Sequence, residues 1–430
     1  MKTTFCALAL LLCLMPVRAV AAEETVTFDQ ISADPDNVAL NYRYAQQQVA
    51  RGNLRGAIAA LDRILFDNPN LHEARLFYAL LLYRLDDLDD AARELDILET
   101  LPISASLRAQ LDLYKKDILR RGKKTLWSGH LAIGNGYDTN RNYAPVSGKN
   151  LLLDTPLSVS GASVQKSDTN ILFMGDAAVR RDLGTQAGHE LFGSVAYYMS
   201  NQTSLRTLSL QALSLRGGGT YKTTPVNVVS SAIYDHVTLA EAEYLSNTGG
   251  SLRFERNIKG RTNLYAEARD VYQEYTPTTT APIAPQRNGL QLDGILGADY
   301  FLSPGIKIGA SYTYAVKHAA NMIYSFERNG AAIHGVWLPG AGMFLQCAIS
   351  ASWDSYPHGD PFISAKYRHD NIRTLSAVYG IPLNILWSPL RDFAWSLNYN
   401  YNQDVSNILN YAYKNITYST MVTYRWEVGL

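Results

Sequence analysis

Beyond its first twenty residues, the chain has no apolar run of the roughly 18 to 20 residues that a membrane-spanning helix needs, which excludes a helical membrane protein. Mean hydropathy is −0.13, so any passage through a bilayer has to use strands. Cysteine is nearly missing. Of three in 430 residues, Cys6 and Cys13 fall in an N-terminal leader, and the remaining chain keeps only Cys347. One thiol makes no internal disulfide, so the fold has to hold by packing and strand pairing. Neither sign of charge is in excess: 39 basic side chains face 39 acidic ones, and nothing in the balance points to nucleic acid.

The usual constellations of chemistry are missing too. Eight histidines occur (His72, His130, His189, His236, His318, His334, His358, His369), and no two share a metal-ligand spacing on one helix. There is no G-x-S-x-G elbow, P-loop or Cys-Cys pair. His358 near Asp360 falls in a solvated loop, and His318 after Lys317 falls at a strand end. The expectation is a protein that is not an enzyme and carries no cofactor, with no catalytic, cofactor-binding or metal-binding residue to name.

What the chain does have is organised in three parts. Lys2, the apolar stretch from Ala7 to Met15, and the small residues Ala19-Val20-Ala21-Ala22 read as a secretory signal peptide over residues 1–22. Residues 34–122 have helical period and repeat it: Ala57 and Ala91, Leu61 and Leu95, and Ile64 and Leu98 are each 34 apart, with Pro69 and Pro102 closing the units. The pair looks like two tetratricopeptide repeats. Gly52 sits in the turn of the first and Asp86 takes that place in the second. A third amphipathic helix, from Ser104 to about Arg121, is expected to cap the array.

After Lys124 the period changes from 3.6 to 2 and stays there. Phe393, Trp395, Leu397, Tyr399 and Tyr401 alternate with Ala394, Ser396, Asn398, Asn400 and Asn402, one face suited to lipid and the other polar. The 28 Tyr against 12 Phe fit the interfacial girdles of a barrel. About fourteen such segments can be counted: residues 127–137, 170–181, 190–199, 205–220, 226–238, 243–258, 262–275, 288–301, 306–318, 326–338, 341–353, 368–381, 391–402 and 415–426. The expected fold is therefore a multidomain α and β chain, with helical repeats facing the periplasm and an antiparallel transmembrane β-barrel of about 14 strands over residues 126–430. Longer connections near residues 140–166, 276–286 and 354–361 belong on the cell exterior. Glu267, Arg269, Asp293, Asp299, Arg391 and Arg425 lie on polar faces and are expected to point into the lumen. They suit a hydrated passage and a plugged one equally.

Gly134-Asn135-Gly136-Tyr137-Asp138-Thr139-Asn140-Arg141-Asn142 at the exit of the first strand resembles the opening of the barrel in the surface lipoprotein assembly modifier (Slam) family. So does Ser406-Asn407-Ile408 with Tyr411-Ala412-Tyr413-Lys414 before the last strand. The motif residues are Gly136, Tyr137, Asp138 and Asn140. The resemblance implies a periplasmic repeat domain, a fourteen-stranded outer-membrane barrel, and a translocon that delivers lipoproteins or small haemophore-like proteins to the cell surface. The partners implied are the outer-membrane bilayer, a protein substrate, periplasmic chaperones and the barrel assembly machinery, with no nucleic acid. Trp426 is read as an aromatic end signal followed by a four-residue tail. Two rivals stay open: an exopolysaccharide exporter, which usually carries a longer repeat array, and a surface receptor barrel that exports nothing.

Overall fold

The computed structural model describes residues 25–121, 124–185 and 187–429, so the expected signal peptide lies outside the described residues. The chain divides into two compact units, one ending at Gly122 and the other beginning at Lys123.

The first unit is helical: α1 Phe28–Ala33, α2 Val38–Ala50, α3 Leu54–Asp67, α4 His72–Arg84, α5 Leu88–Glu99 and α6 Ala105–Arg121. It begins before the expected residue 34, because Thr27 and Gln30 form a reciprocal capping box that starts α1. The 34-residue repeat is written into the local structure. Gly52 and Asp86 both take positive φ, at 80° and 66°, and each ends the first helix of a hairpin. The next residues, Asn53 and Asp87, cap the second helices by accepting from the Gly56 and Asp90 amides. Aspartate tolerates the left-handed conformation better than most side chains, which is why it replaces glycine there. The paired positions Ala57 and Ala91, Leu61 and Leu95, Ile64 and Leu98 are all at most 3% exposed. Each buried leucine contributes about 2 kcal/mol by area. As expected, α6 covers the second hairpin: Leu111 and Ile118 join the core of α4 and α5, and Lys115 bridges Asp96 and Glu99.

The second unit is a closed barrel. Its strands are β1 Thr125–Asp138, β4 Asp168–Asp182, β5 Glu190–Gln202, β6 Leu210–Tyr221, β7 Asn227–Leu239, β8 Ala242–Ile258, β9 Thr262–Tyr275, β10 Gly289–Ser303, β11 Ile306–Ala319, β12 Phe326–Gly340, β13 Met343–Ser355, β14 His369–Pro382, β15 Phe393–Ser406 and β16 Tyr413–Gly429. A small hairpin, β2 Lys149–Leu152 with β3 Thr155–Ser158, stands inside the long first connection. All fourteen barrel strands pair antiparallel with their neighbours, and β1 closes on β16 from Leu126↔Gly429 to Asp138↔Thr417. That pairing corrects the expectation of a tail after Trp426, since Glu427 to Gly429 continue the strand. The fourth barrel strand, β6, starts at Leu210 rather than 205. Residues 206–208 instead form a 3₁₀ turn, and Asp168 accepts from the Ser204 and Leu205 amides just before it.

Alternation gives the wall two faces. Leu296, Ile133, Ile333 and Ile349 point outward and are 60 to 66% exposed, a cost in water that hydrocarbon removes. Outward aromatics ring both ends: Tyr137, Tyr314, Trp353 and Tyr418 near the long loops, and Trp127, Tyr300, Trp337 and Tyr424 near the short turns. A closed wall of this kind leaves no strand edge unpaired in lipid.

Candidate functional site

The inward face is polar, and it differs around the circumference. From β6 to β12 most of its charges are paired with one another. Arg216 meets Asp235 at 3.0 Å, Arg253 meets Glu255 and Glu267 at 2.6 and 3.2 Å, and Arg269 meets Asp293 at 2.6 Å. Asp299 on β10 accepts from His334 of β12 across the intervening strand, at 2.8 Å. That contact needs Gly309 on β11, because a Cβ there would collide with both side chains. Lys317 is buried without an acidic partner, and its Nζ donates to Gln273. From β13 through β16 to β1 the middle of the wall is neutral instead: Ser350, Ser352, Thr374, Ser376, Asn398, Asn400, Asn402, Thr417, Ser419, then Ala132, Gly134 and Gly136.

Of the six expected lumen charges, Glu267, Arg269, Asp293 and Asp299 are brought together by these pairs, and Arg425 lies on the inward parity of β16 opposite His130. Arg391 is not a lumen residue. It follows a 3₁₀ turn, Ser388–Leu390, in the connection between β14 and β15, is largely exposed, and pairs with Asp392. The strand begins at Phe393, two residues later than the alternation suggests, because the connection before it is longer than its neighbours at that end.

Near the short-turn end three aromatic rings face inward, each over a glycine directly opposite in register: Phe192 over Gly218, Tyr265 over Gly297 and Phe344 over Gly380. A Cβ at any of the three glycines would run into the ring. Such pairs cover the bare glycine backbone and pin the register. Sequence reasoning missed them, because neither partner is informative until the register is known. The wall from β6 to β9 is also thin. Gly217, Ser230, Ala232 and Gly250 face out, Gly218, Ser231, Gly249 and Ser251 face in, and a cavity of about 720 Å³ borders it.

At the long-loop end the family-like motif is a structural knot. The Asp138 carboxylate accepts from Asn415 at 2.8 Å, Thr417 at 2.6 Å and Asn170 at 3.3 Å, tying β1 to both its neighbours. Asn140, fully buried, donates from its backbone to Asn415 and from its side chain to the Ala144 and Lys414 carbonyls. Gly136 leaves room for Asn170, whereas Tyr137 points outward into the girdle. The motif thus aims the segment 139–167 over the mouth. Arg141 reaches the Leu208 carbonyl at 2.8 Å on one side, and the Leu151 amide reaches Asn410 at 2.7 Å on the other. At the tip of the hairpin, Leu153 and Asp154 take φ of 51° and 61°. Their amides donate to the Phe362 and Ile363 carbonyls, and Asp154 accepts from Ser364 and the Ala365 amide. Those bonds hold the Asp154 carboxyl below its ordinary range, the Ser364 hydroxyl first.

Inside this cover Arg368 is stacked between rings, 3.5 Å from Tyr411 and 4.3 Å from Tyr356. Burial pushes the Tyr411 phenol up; Arg368 pulls against it, and so, more weakly, does Arg287 from the connection between β9 and β10 on the far side of the mouth. Among the described residues, no three His, Cys, Asp or Glu side chains converge on a metal position.

No family model and no curated protein matches the chain. Among solved structures, it is similar to the outer membrane channel DcaP of Acinetobacter baumannii, at 11% identity over 71% of this chain and 98% of that one, with a TM-score of 0.41. It is also similar to the toluene transporter TodX of Pseudomonas putida, at 10% identity, 71% and 89% coverage and a TM-score of 0.33. A loop-deletion form of OmpT, an outer membrane protein of Vibrio cholerae, gives 9%, 70% and 100%, and 0.35. At that level the likeness says nothing about cargo. With its fourteen strands closed antiparallel, its lipid-suited outer face and its polar interior, the second unit is a β-barrel of the outer membrane.

Proposed function

We propose that the protein is a conduit which delivers a protein substrate, a lipoprotein or a small secreted protein, to the cell surface. The observation that carries this reading is the lumen: most charges between β6 and β12 are paired with one another, while the middle of the remaining wall is uncharged and rich in amides and hydroxyls. An extended polypeptide has a hydrogen-bonding group at every residue, and a neutral polar wall exchanges such bonds without trapping charge. The helical hairpins, read as tetratricopeptide-like, engage the substrate from the periplasm and raise its local concentration. The resemblance of residues 134–142, 406–408 and 411–414 to the Slam family supports the same assignment. No chemical step is assigned to the chain.

The test is a gene deletion. Protease added to intact cells is expected to cut its cargo on the parent strain and to spare it on the deletant. Unchanged exposure of every surface lipoprotein, together with unchanged secretion of small soluble proteins, removes the reading. A second reading, a surface receptor that exports nothing, is favoured by Leu152, Leu153 and Phe362, which stand exposed together where the hairpin tip meets the segment 356–368. Loss of a host or ligand contact in the deletant, with cargo exposure intact, selects it.

A further inference from the structure

Three carboxylates face the lumen where β13, β14 and β15 approach the long loops. Asp354 and Asp370 stand opposite each other in register, and Asp404 is opposite Ile372, one diagonal step from Asp370. Two guanidinium groups answer them. Arg328 donates to both oxygens of Asp354 at 2.7 and 2.5 Å, and Arg368 donates from Nε at 2.7 Å and Nη2 at 2.5 Å, both to Oδ2 of Asp370. Three carboxyl groups therefore share two guanidinium groups. Asp404 is 4% exposed, and among the described residues its side chain has neither a hydrogen bond nor an ion pair; its Oδ1 and the Oδ1 of Asp370 are both buried without a partner. Ser406, opposite Asp370, accepts from the Ile408 amide at 3.1 Å and keeps a second lone pair.

A carboxylate removed from water and left without a counter-charge is the costliest arrangement a wall of this kind can hold. The geometry points to a small hard metal cation of single charge, of the sodium class, seated between Asp370 Oδ1 and Asp404 Oδ1. The donors on offer are oxygens alone, which selects hard cations over zinc or copper. With all three carboxyls ionised the surplus is one charge, which a monovalent ion cancels and a divalent ion overshoots. Such an ion ties β14 to β15 just below the covering loops. The inference is independent of what passes through the barrel.

The test uses the full-length protein in detergent. Thermal unfolding is compared in sodium, potassium and calcium chlorides against N-methylglucamine chloride at equal ionic strength. Sodium is expected to raise the midpoint by about 3 °C over N-methylglucamine, as a ligand that binds only the folded state does. Asp404→Asn is expected to lose that increment and to unfold in N-methylglucamine no earlier than the parent. An equal sodium increment in parent and variant overturns the site. No cation-specific increment in the parent overturns it too, leaving a proton as the neutralising group, and a response to calcium alone overturns the single charge. Sodium NMR of the parent protein needs no variant to fold: a broadened component that saturates supports the site, and unbroadened signal at every protein concentration sinks it.

Discussion

The two walls of the lumen follow the same two-residue alternation and end up chemically opposite. From β6 to β12 the inward positions carry Arg216, Asp235, Arg253, Glu267, Arg269, Asp293, Asp299 and His334, nearly all paired across one strand boundary. From β13 to β1 the middle positions are mostly serine, threonine, asparagine, alanine and glycine, with Val378 and Met421 among them and no charge. The charged wall is cross-linked by its own side chains and becomes a rigid support. The neutral wall has little cross-linking of that kind and presents mostly uncharged groups to the lumen. A count of lumen charges therefore measures the pairing within one wall.

Breaking the charged wall should give the largest effect. Gly309→Val places a side chain where Asp299 meets His334, leaves that carboxylate only Lys307 at 3.9 Å, and is expected to cost about 3 kcal/mol. Guanidinium unfolding of the purified protein, read with heat-modified mobility on gels, checks it. Next comes the knot that closes the two walls. Asp138→Ala removes acceptors from Asn415, Thr417 and Asn170 and is expected to cost about 2 kcal/mol, with faster proteolysis inside residues 139–167 and an intact barrel core. Arg269→Ala against Asn400→Ala then sharpens the contrast directly. The first leaves Asp293 with Gln291 alone and is expected to lose about 1 to 2 kcal/mol. The second is expected to change stability by under about 0.5 kcal/mol while altering cargo exposure on cells. Equal stability losses in the two variants would dissolve the distinction.

The smallest effect concerns the cover. The Asp154 carboxyl is held below its ordinary range in the folded loop, so its contribution is present above the unfolded carboxylate range and is lost as pH falls through the lower folded value. Hydrogen exchange at the Leu153, Asp154 and Ala365 amides, corrected for intrinsic rates, is expected to accelerate in acid and to lose that dependence in Asp154→Asn. A flat profile in the parent disconnects the latch from this carboxylate.

Much of this was legible in residue order because periodicity is local. The alternation at Phe393 to Tyr401 marks a lipid face whatever else the chain does, and the recurrence of Ala57, Leu61 and Ile64 at 91, 95 and 98 marks a repeat before any packing is known. Loops were less legible. The β2–β3 hairpin is too short and too exposed to show alternation, and Arg391 continued a pattern that its own turn had already ended. The motif around Asp138 stood out by resemblance, but its work could not be read, since its partners Asn415 and Thr417 lie more than 270 residues away in sequence.

Sequence by itself determined the two units, the strand number and which side chains face lipid, because those follow from spacing along the chain. Only the tertiary structure decided which charges cancel, which rings cover Gly218, Gly297 and Gly380, and why Asp404 stands alone. Those facts depend on the register between strands, and register is set by the closure of the whole barrel rather than by any one segment.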